Sequence, residues 1–344
     1  MTSELSERQS AILHRVVEEY VATGQPVGSK TLVERGGMNV GPSTVRMELA
    51  ELELRGLLTH PHTSAGRVPT DRGYRLYVDG LLEHLEPRAP EDFPLDLAAG
   101  RGEVEAALQA TTEMLSQLTS LLALVSAPPL AAATIRHVEV LMLQPQVVLA
   151  VVITSTGGVT KRVAVFDEPV DQGLANWAAQ YLNEQLPGLE LGSHRLRRAL
   201  DNPDLIAREQ AFLEALRPAF SDVVQQEQRL YVGGAAALLV DAPREQIAGY
   251  RDLLEVLEQR AALVDVLRQA LDPRRPFVRV GEELDHPALR ELSLVGATYG
   301  VANRPLGAVS LIGPLRMDYG YAIRSVRGAA SELSRFVAEI YDEP

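Results

Sequence analysis

The chain has no cysteine in its 344 residues, which excludes a disulfide framework, a thiolate zinc site and a cysteine nucleophile. It also lacks a long apolar run. Pro128, Pro129, Glu139, Gln144 and Gln146 interrupt its most hydrophobic stretches, well short of the ~18–20 clean residues a membrane span requires. The opening MTSELSERQS carries no apolar segment, so a soluble cytoplasmic protein without a secretory signal is expected. None of G-x-G-x-x-G, G-x-S-x-G or H-E-x-x-H occurs. Their absence removes the usual marks of dinucleotide binding, serine hydrolysis and zinc proteolysis.

A basic excess is missing too. The net charge of −13 argues against a protein that coats nucleic acid nonspecifically. The charge is unevenly spread: residues 1–80 hold nine Lys/Arg and ten Asp/Glu, whereas residues 81–344 hold 24 and 36. Within 55–75, Arg55, Arg67, Arg72 and Arg75 stand against Asp71 alone. If phosphate is met anywhere, this N-terminal region is the place.

What is present is an ordered series of helix and strand signals. Ser6 followed by Gln9 is a capping box, and Ile12, Leu13, Val16, Val17, Tyr20 and Val21 then recur at helical spacing, predicting a helix over about 6–22. A second helix is expected around 29–35 with Ser29 as its cap, and a third from Pro42 to Arg55 with Val45, Leu49 and Leu52 as its buried stripe. Residues 57–69 read as a β-hairpin and Thr70 as the cap of a fourth helix. Three helices followed by a hairpin describe a winged helix-turn-helix.

Beyond it, residues 87–102 look like a linker, 103–126 like a helix, and 134–143, 146–154 and 158–166 like strands. Residues 170–186 form an amphipathic helical pattern, 190–272 are mainly helical, and strands resume at 276–281, 291–299 and 306–312 before a closing helix from Asp318 to about 341. A length beyond one ordinary core favours two or three domains, and a sheet interrupted by a helical block suggests one domain inserted in another. Strands near 134–166 are expected to pair with those near 276–312.

Candidate chemistry concentrates in the third helix. Ser43, Thr44, Arg46 and Met47 lie off its buried stripe. Arg46 can pair bidentately with guanine, Ser43 and Thr44 can bond bases or phosphates, and Met47 can pack on a thymine methyl. Ser29, Lys30 and Thr31 of the second helix, Arg67 of the hairpin and Arg72 complete the candidate DNA-binding set. Solvated positions on a protein-binding winged helix are the alternative. The segment TGQPVGSKT at 23–31 does not fit a phosphate loop, because three residues separate its glycines and Ser29 precedes Lys30. His60 and His62 could share a metal but have no further ligands nearby, and Glu282, Glu283 and Asp285 read as a solvated loop. No catalytic residue, metal or cofactor is expected.

The runs LSERQSAILHRVVEEYVATGQPVGSKTL at 5–32 and VGPSTVRMELAELELRGLLTHPHTSAGRVPTDRGYRLYVDGLL at 40–82 closely resemble the N-terminal signature of the bacterial heat-inducible transcription repressor family HrcA. SLVGATYG at 293–300 and LGAVSLIGPLRMDYGYAI at 306–323 resemble its C-terminal segment. The sequence departs from the family pattern at Gly41, where Ser is usual, and at Met47, where Asn is usual.

The resemblance implies an α+β protein of three domains: a winged helix (1–86), a GAF-like α/β domain in two segments (103–189 and 273–344) and a mainly helical dimerisation domain inserted at 190–272. Within that block Leu253, Leu254, Leu257, Leu263 and Leu267 exceed what one solvated helix needs. It further implies a homodimer that represses chaperone operons at an inverted-repeat operator in double-stranded DNA, with the chaperonin sustaining its activity. A ligand-sensing regulator, with a small-molecule pocket between the apolar segments 134–166 and 291–312, is the competing reading.

Overall fold

The computed structural model describes residues 5–36, 40–61, 66–86, 93–94, 97, 104–128, 133–155, 158–221, 229–234, 276–301 and 304–341. Helix α1 (Glu7–Thr23) starts as its capping box predicts: the Gln9 amide donates to Ser6 Oγ (3.2 Å) and the Ser6 amide to Gln9 Oε1 (3.1 Å). Gly24 ends it at φ +68, where glycine carries no Cβ penalty. Helix α2 (Ser29–Gly36) includes Ser29 as its first residue, so the expected cap stands inside the helix. Helix α3 (Pro42–Leu54) buries Val45, Leu49 and Leu52. Strand β1 (Leu58–Thr59) then pairs antiparallel with β2 (Val68–Pro69), and Thr70 caps α4 (Asp71–Glu83) by accepting from the Gly73 amide at 3.2 Å.

Among the described residues the remaining α-helices and strands are α5 (Val104–Thr119), β3 (Leu122–Ser126), β4 (Ile135–Gln144), β5 (Val147–Thr154), β6 (Val159–Val165), α6 (Gln172–Gln185), α7 (His194–Leu200), α8 (Ala207–Leu216), α9 (Pro218–Ser221), β7 (Leu230–Gly233), β8 (Phe277–Val280), β9 (Leu292–Val301), β10 (Arg304–Pro314) and α10 (Tyr319–Tyr341). The expected helix over 103–126 is therefore cut short. Ser120 takes φ 55, and the five residues after Leu121 form a strand buried at every position. A short continuous apolar run is compatible with either state.

Strand pairing corrects the expected sheet. One sheet is antiparallel throughout in the order β7-β3-β10-β9-β8, and a separate sheet has the order β4-β5-β6. The strands at 135–165 do not pair with those at 277–314. They pack instead with α6–α9 around Val138, Val148, Ala150, Val152, Leu182, Leu213 and Phe220. The excursion thus begins after β3 and closes before β7, where the Ala127 amide donates to the Arg229 carbonyl at 2.8 Å. Residues 230–233, expected within the helical block, belong to the larger sheet. Of the leucines expected to support dimerisation, Leu253, Leu254, Leu257, Leu263 and Leu267 lie outside the described residues.

The N-terminal unit and the larger sheet share one continuous core, in which Ile12, Val16, Leu52 and Tyr77 join Val278, Val309, Ile323 and Val337. Tyr74 and Tyr77 both meet Tyr319 (centroids 5.9 and 6.5 Å apart), and Tyr319 exchanges a hydrogen bond with Ser293 at 2.7 Å. Burial pushes the Tyr77 hydroxyl up to about 12. Arg75 turns inward, donating to the Val278 carbonyl (2.7 Å) and Glu283 (3.2 Å). Even the expected linker contributes, since Leu97 is buried in the same core and Phe93 packs against it.

Gly73 sits where α4 passes β1, and an added Cβ would collide with the Leu57 carbonyl oxygen. Gly73→Ala is expected to cost roughly 1–3 kcal/mol, the usual range for overpacking. Gly28→Ala, with nothing within 4 Å of the new methyl, should change stability by less than about 0.5 kcal/mol. Urea denaturation of the two variants measures the difference.

Candidate nucleic-acid interface

Helix α3 presents its sequence-predicted residues outward. Ser43, Arg46 and Met47 are exposed, Met47 to 74%, and Thr44 is half-buried. Gly41 supplies no side-chain cap to this helix, and Pro42 occupies its first position. The first-turn amides beyond Pro42 are therefore left to find partners outside the helix, at the positive end of its dipole.

The same helix carries three carboxylates, which would repel a phosphate backbone if left bare. Each is matched within the protein. Glu48 accepts from Arg8 Nε (2.8 Å) and Gln9 Nε2 (3.0 Å) of α1. Glu51 accepts from Arg55 Nε at 3.0 Å. Glu53 receives Arg67 Nη2 at 2.7 Å together with His60 Nδ1. Arg46, by contrast, forms no ion pair among the described residues. The N-terminal half of α3 thus offers a free cation and hydroxyls, while its acidic half is neutralised internally.

The other candidates are brought alongside to different degrees. Helix α2 packs on α3, with Lys30 exposed and Ser29 and Thr31 half-buried. The backbone of Val27, just before α2, exchanges two hydrogen bonds of 2.9 Å with Arg67, joining the hairpin to the turn between α1 and α2. Arg72 is exposed on the first turn of α4. Arg67 departs from expectation: instead of reaching outward, its side chain is 24% exposed and lies on Glu53. His60, weighed as a metal ligand, also goes to Glu53, while His62 lies outside the described residues. Among the described residues no group of three or more His, Asp or Glu could hold a metal, and no helix is long and apolar enough to cross a membrane. Glu48 carries no local sequence signal for this role, because it pairs with residues some 40 positions away.

A second surface lies on the three-stranded sheet. One face packs on the helices. On the other, Leu141, Leu149 and Val163 form one row and Val147 and Val165 another. Leu141, Val159, Val163 and Val165 are 46%, 61%, 56% and 75% exposed. Glu139 and Lys161 flank Val151 on this face.

The family described as HrcA protein C terminal domain matches residues 105–323. The heat-inducible transcription repressor HrcA of Nocardioides sp. is 38% identical to this chain, covering 98% of it and 99% of the relative. That of Acidothermus cellulolyticus is 36% identical over 97% of this chain and 99% of its own. A crystal structure of a hypothetical protein shares the fold, with TM-score 0.66 and 22% identity over 98% of this chain and 100% of that one.

Proposed function

Because the chain belongs to the HrcA family of heat-inducible transcription repressors, and so represses transcription and is not an enzyme, we propose that α1–α4 and the hairpin form a winged helix-turn-helix that reads operator DNA through α3. The observation that carries this reading is the charge arrangement on α3: Arg46 is exposed and forms no ion pair among the described residues, while Glu48, Glu51 and Glu53 are each matched internally. Arg46 and Met47 face base edges. Ser43, Thr44, Ser29, Lys30, Thr31 and Arg72 position the duplex through phosphate. The five-stranded sheet with α5 and α10 corresponds to the GAF-like domain, and the β4–β6 sheet with α6–α9 to the inserted one.

The operator is an inverted repeat upstream of chaperone operons in the cytoplasm, met by a two-fold homodimer whose linked heads raise the effective concentration of the second contact. The exposed face of β4–β6 is the dimer surface. Its apolar rows need covering. A two-fold axis near Val151 would set Glu139 of each copy against Lys161 of the other.

The chaperonin acts on folding. It can shift an equilibrium only by treating two states differently, and it engages non-native chains. The larger sheet requires Val125 of β3 to find Val309 of β10 across the whole excursion, a long-range pairing that is slow and exposes unpaired edges. Competition for the chaperonin during heat stress then lowers the competent repressor and releases the genes.

Arg46→Ala is expected to weaken operator binding by about 1–3 kcal/mol and relax base preference at one position; unchanged affinity in a titration with the upstream DNA rules out α3 as reader. Leu141→Glu with Val163→Glu, both at exposed sites, should give a folded monomer by sedimentation, whereas persistence of the dimer moves the interface elsewhere. Refolding with chaperonin and ATP should raise the operator-active fraction, and equal fractions without it dismiss chaperonin control.

A further inference from the structure

Arg67 stands at the meeting point of three segments. Its backbone forms both hydrogen bonds of the bridge to Val27 (2.9 Å each), its neighbour Val68 pairs with Thr59, and its guanidinium holds Glu53 in the last turn of α3. Gly66 makes this approach possible, since any Cβ there would run into the backbone of Pro26 and Val27. The hairpin has only two residues in each strand, too little ladder to be rigid alone.

The ion pair itself faces inward. Both side chains are 24% exposed, and Arg67 Nε is buried with no hydrogen-bond partner among the described residues. To reach a phosphate, Arg67 would have to leave Glu53. That would strip a half-buried carboxylate of its cation and turn it toward a polyanion, a double electrostatic cost. His60 approaches Glu53 from β1's end of the hairpin, so one carboxylate collects a hydrogen-bonding side chain from either side of the wing.

We propose that Glu53 is a positioning residue for DNA recognition: with Arg67 and His60 it latches the wing to the recognition helix, and Arg67 serves this latch instead of contacting phosphate. The latch rests on the reading of α3 as the recognition helix. It predicts that the two partners act as one unit. A phosphate hook would instead act without Glu53, which would only repel the DNA.

The test uses the full chain with Glu53→Gln, Arg67→Gln and the double variant, each titrated with operator DNA across a salt series. For a latch, either single change weakens operator binding by about tenfold and the double change is no worse than either, the coupling typical of contacting residues. The slope of log K against log[salt] stays as in the wild type, because no phosphate contact is lost. For a hook, Arg67→Gln flattens that slope by about 0.9, one phosphate's worth, and Glu53→Gln leaves affinity unchanged or raises it. That outcome overturns the proposal.

Amide hydrogen exchange of the DNA-free protein gives a second reading. Faster exchange at Thr59, Arg67 and Val68 in Glu53→Gln supports the latch, and unchanged protection rejects it. Since this arm needs no DNA, wild-type failure to bind the operator would sink the recognition-helix reading while the latch is still judged.

Discussion

A transcription repressor carrying a net charge of −13 must bring one of its faces against a polyanion, and under the proposed function the N-terminal unit answers to that constraint. Uniform positive charge is not the solution adopted. Acidic side chains on α3 are instead turned to internal use. Glu48 ties the helix to α1 and Glu53 ties it to the hairpin, so the pairs that cancel repulsion also fix the angle of the helix in its frame. What is left outward is the short N-terminal segment with Ser43, Arg46 and Met47.

The same economy appears where the N-terminal unit meets the body. Arg75 is one of the four arginines that make residues 55–75 locally basic, yet it is spent on Val278 and Glu283. Together with the Tyr74–Tyr319 and Tyr77–Tyr319 contacts it makes the N-terminal unit continuous with the large sheet. β8, Tyr319 of α10 and β2 of the hairpin all meet α4. The excursion that carries the open apolar face departs from and returns to adjacent positions, Ala127 and Arg229. Such an arrangement lets a second folding unit be added without breaking the sheet that supports it.

Much of this was legible in the sequence because it is encoded locally. The capping box at Ser6 and Gln9, the stripe of Val45, Leu49 and Leu52 and the Thr70 cap each involve residues a few positions apart. Caps and periodicities depend on neighbours along the chain, so helices and strands could be placed within a few residues. The outward set on α3 followed from the same helical geometry. The resemblance to the repressor family rested on contiguous motifs as well.

What only the tertiary structure decided is which elements share a sheet and which charges meet. Alternation of apolar residues marks a strand's buried face but not its partner, so strands 135–165 could not be separated from those at 277–314 by pattern alone. The run LALVS at 122–126 is buried on both faces and has no periodicity to distinguish strand from helix. Arg67 looked like a phosphate contact because a basic residue in a hairpin beside a reading helix has that reach. Its position against Glu53 depends on how the hairpin folds back over α3 and on the bridge to Val27. The sequence therefore determined most of the elements and the composition of the exposed face of α3, and the packing of distant segments determined which of its charges are matched.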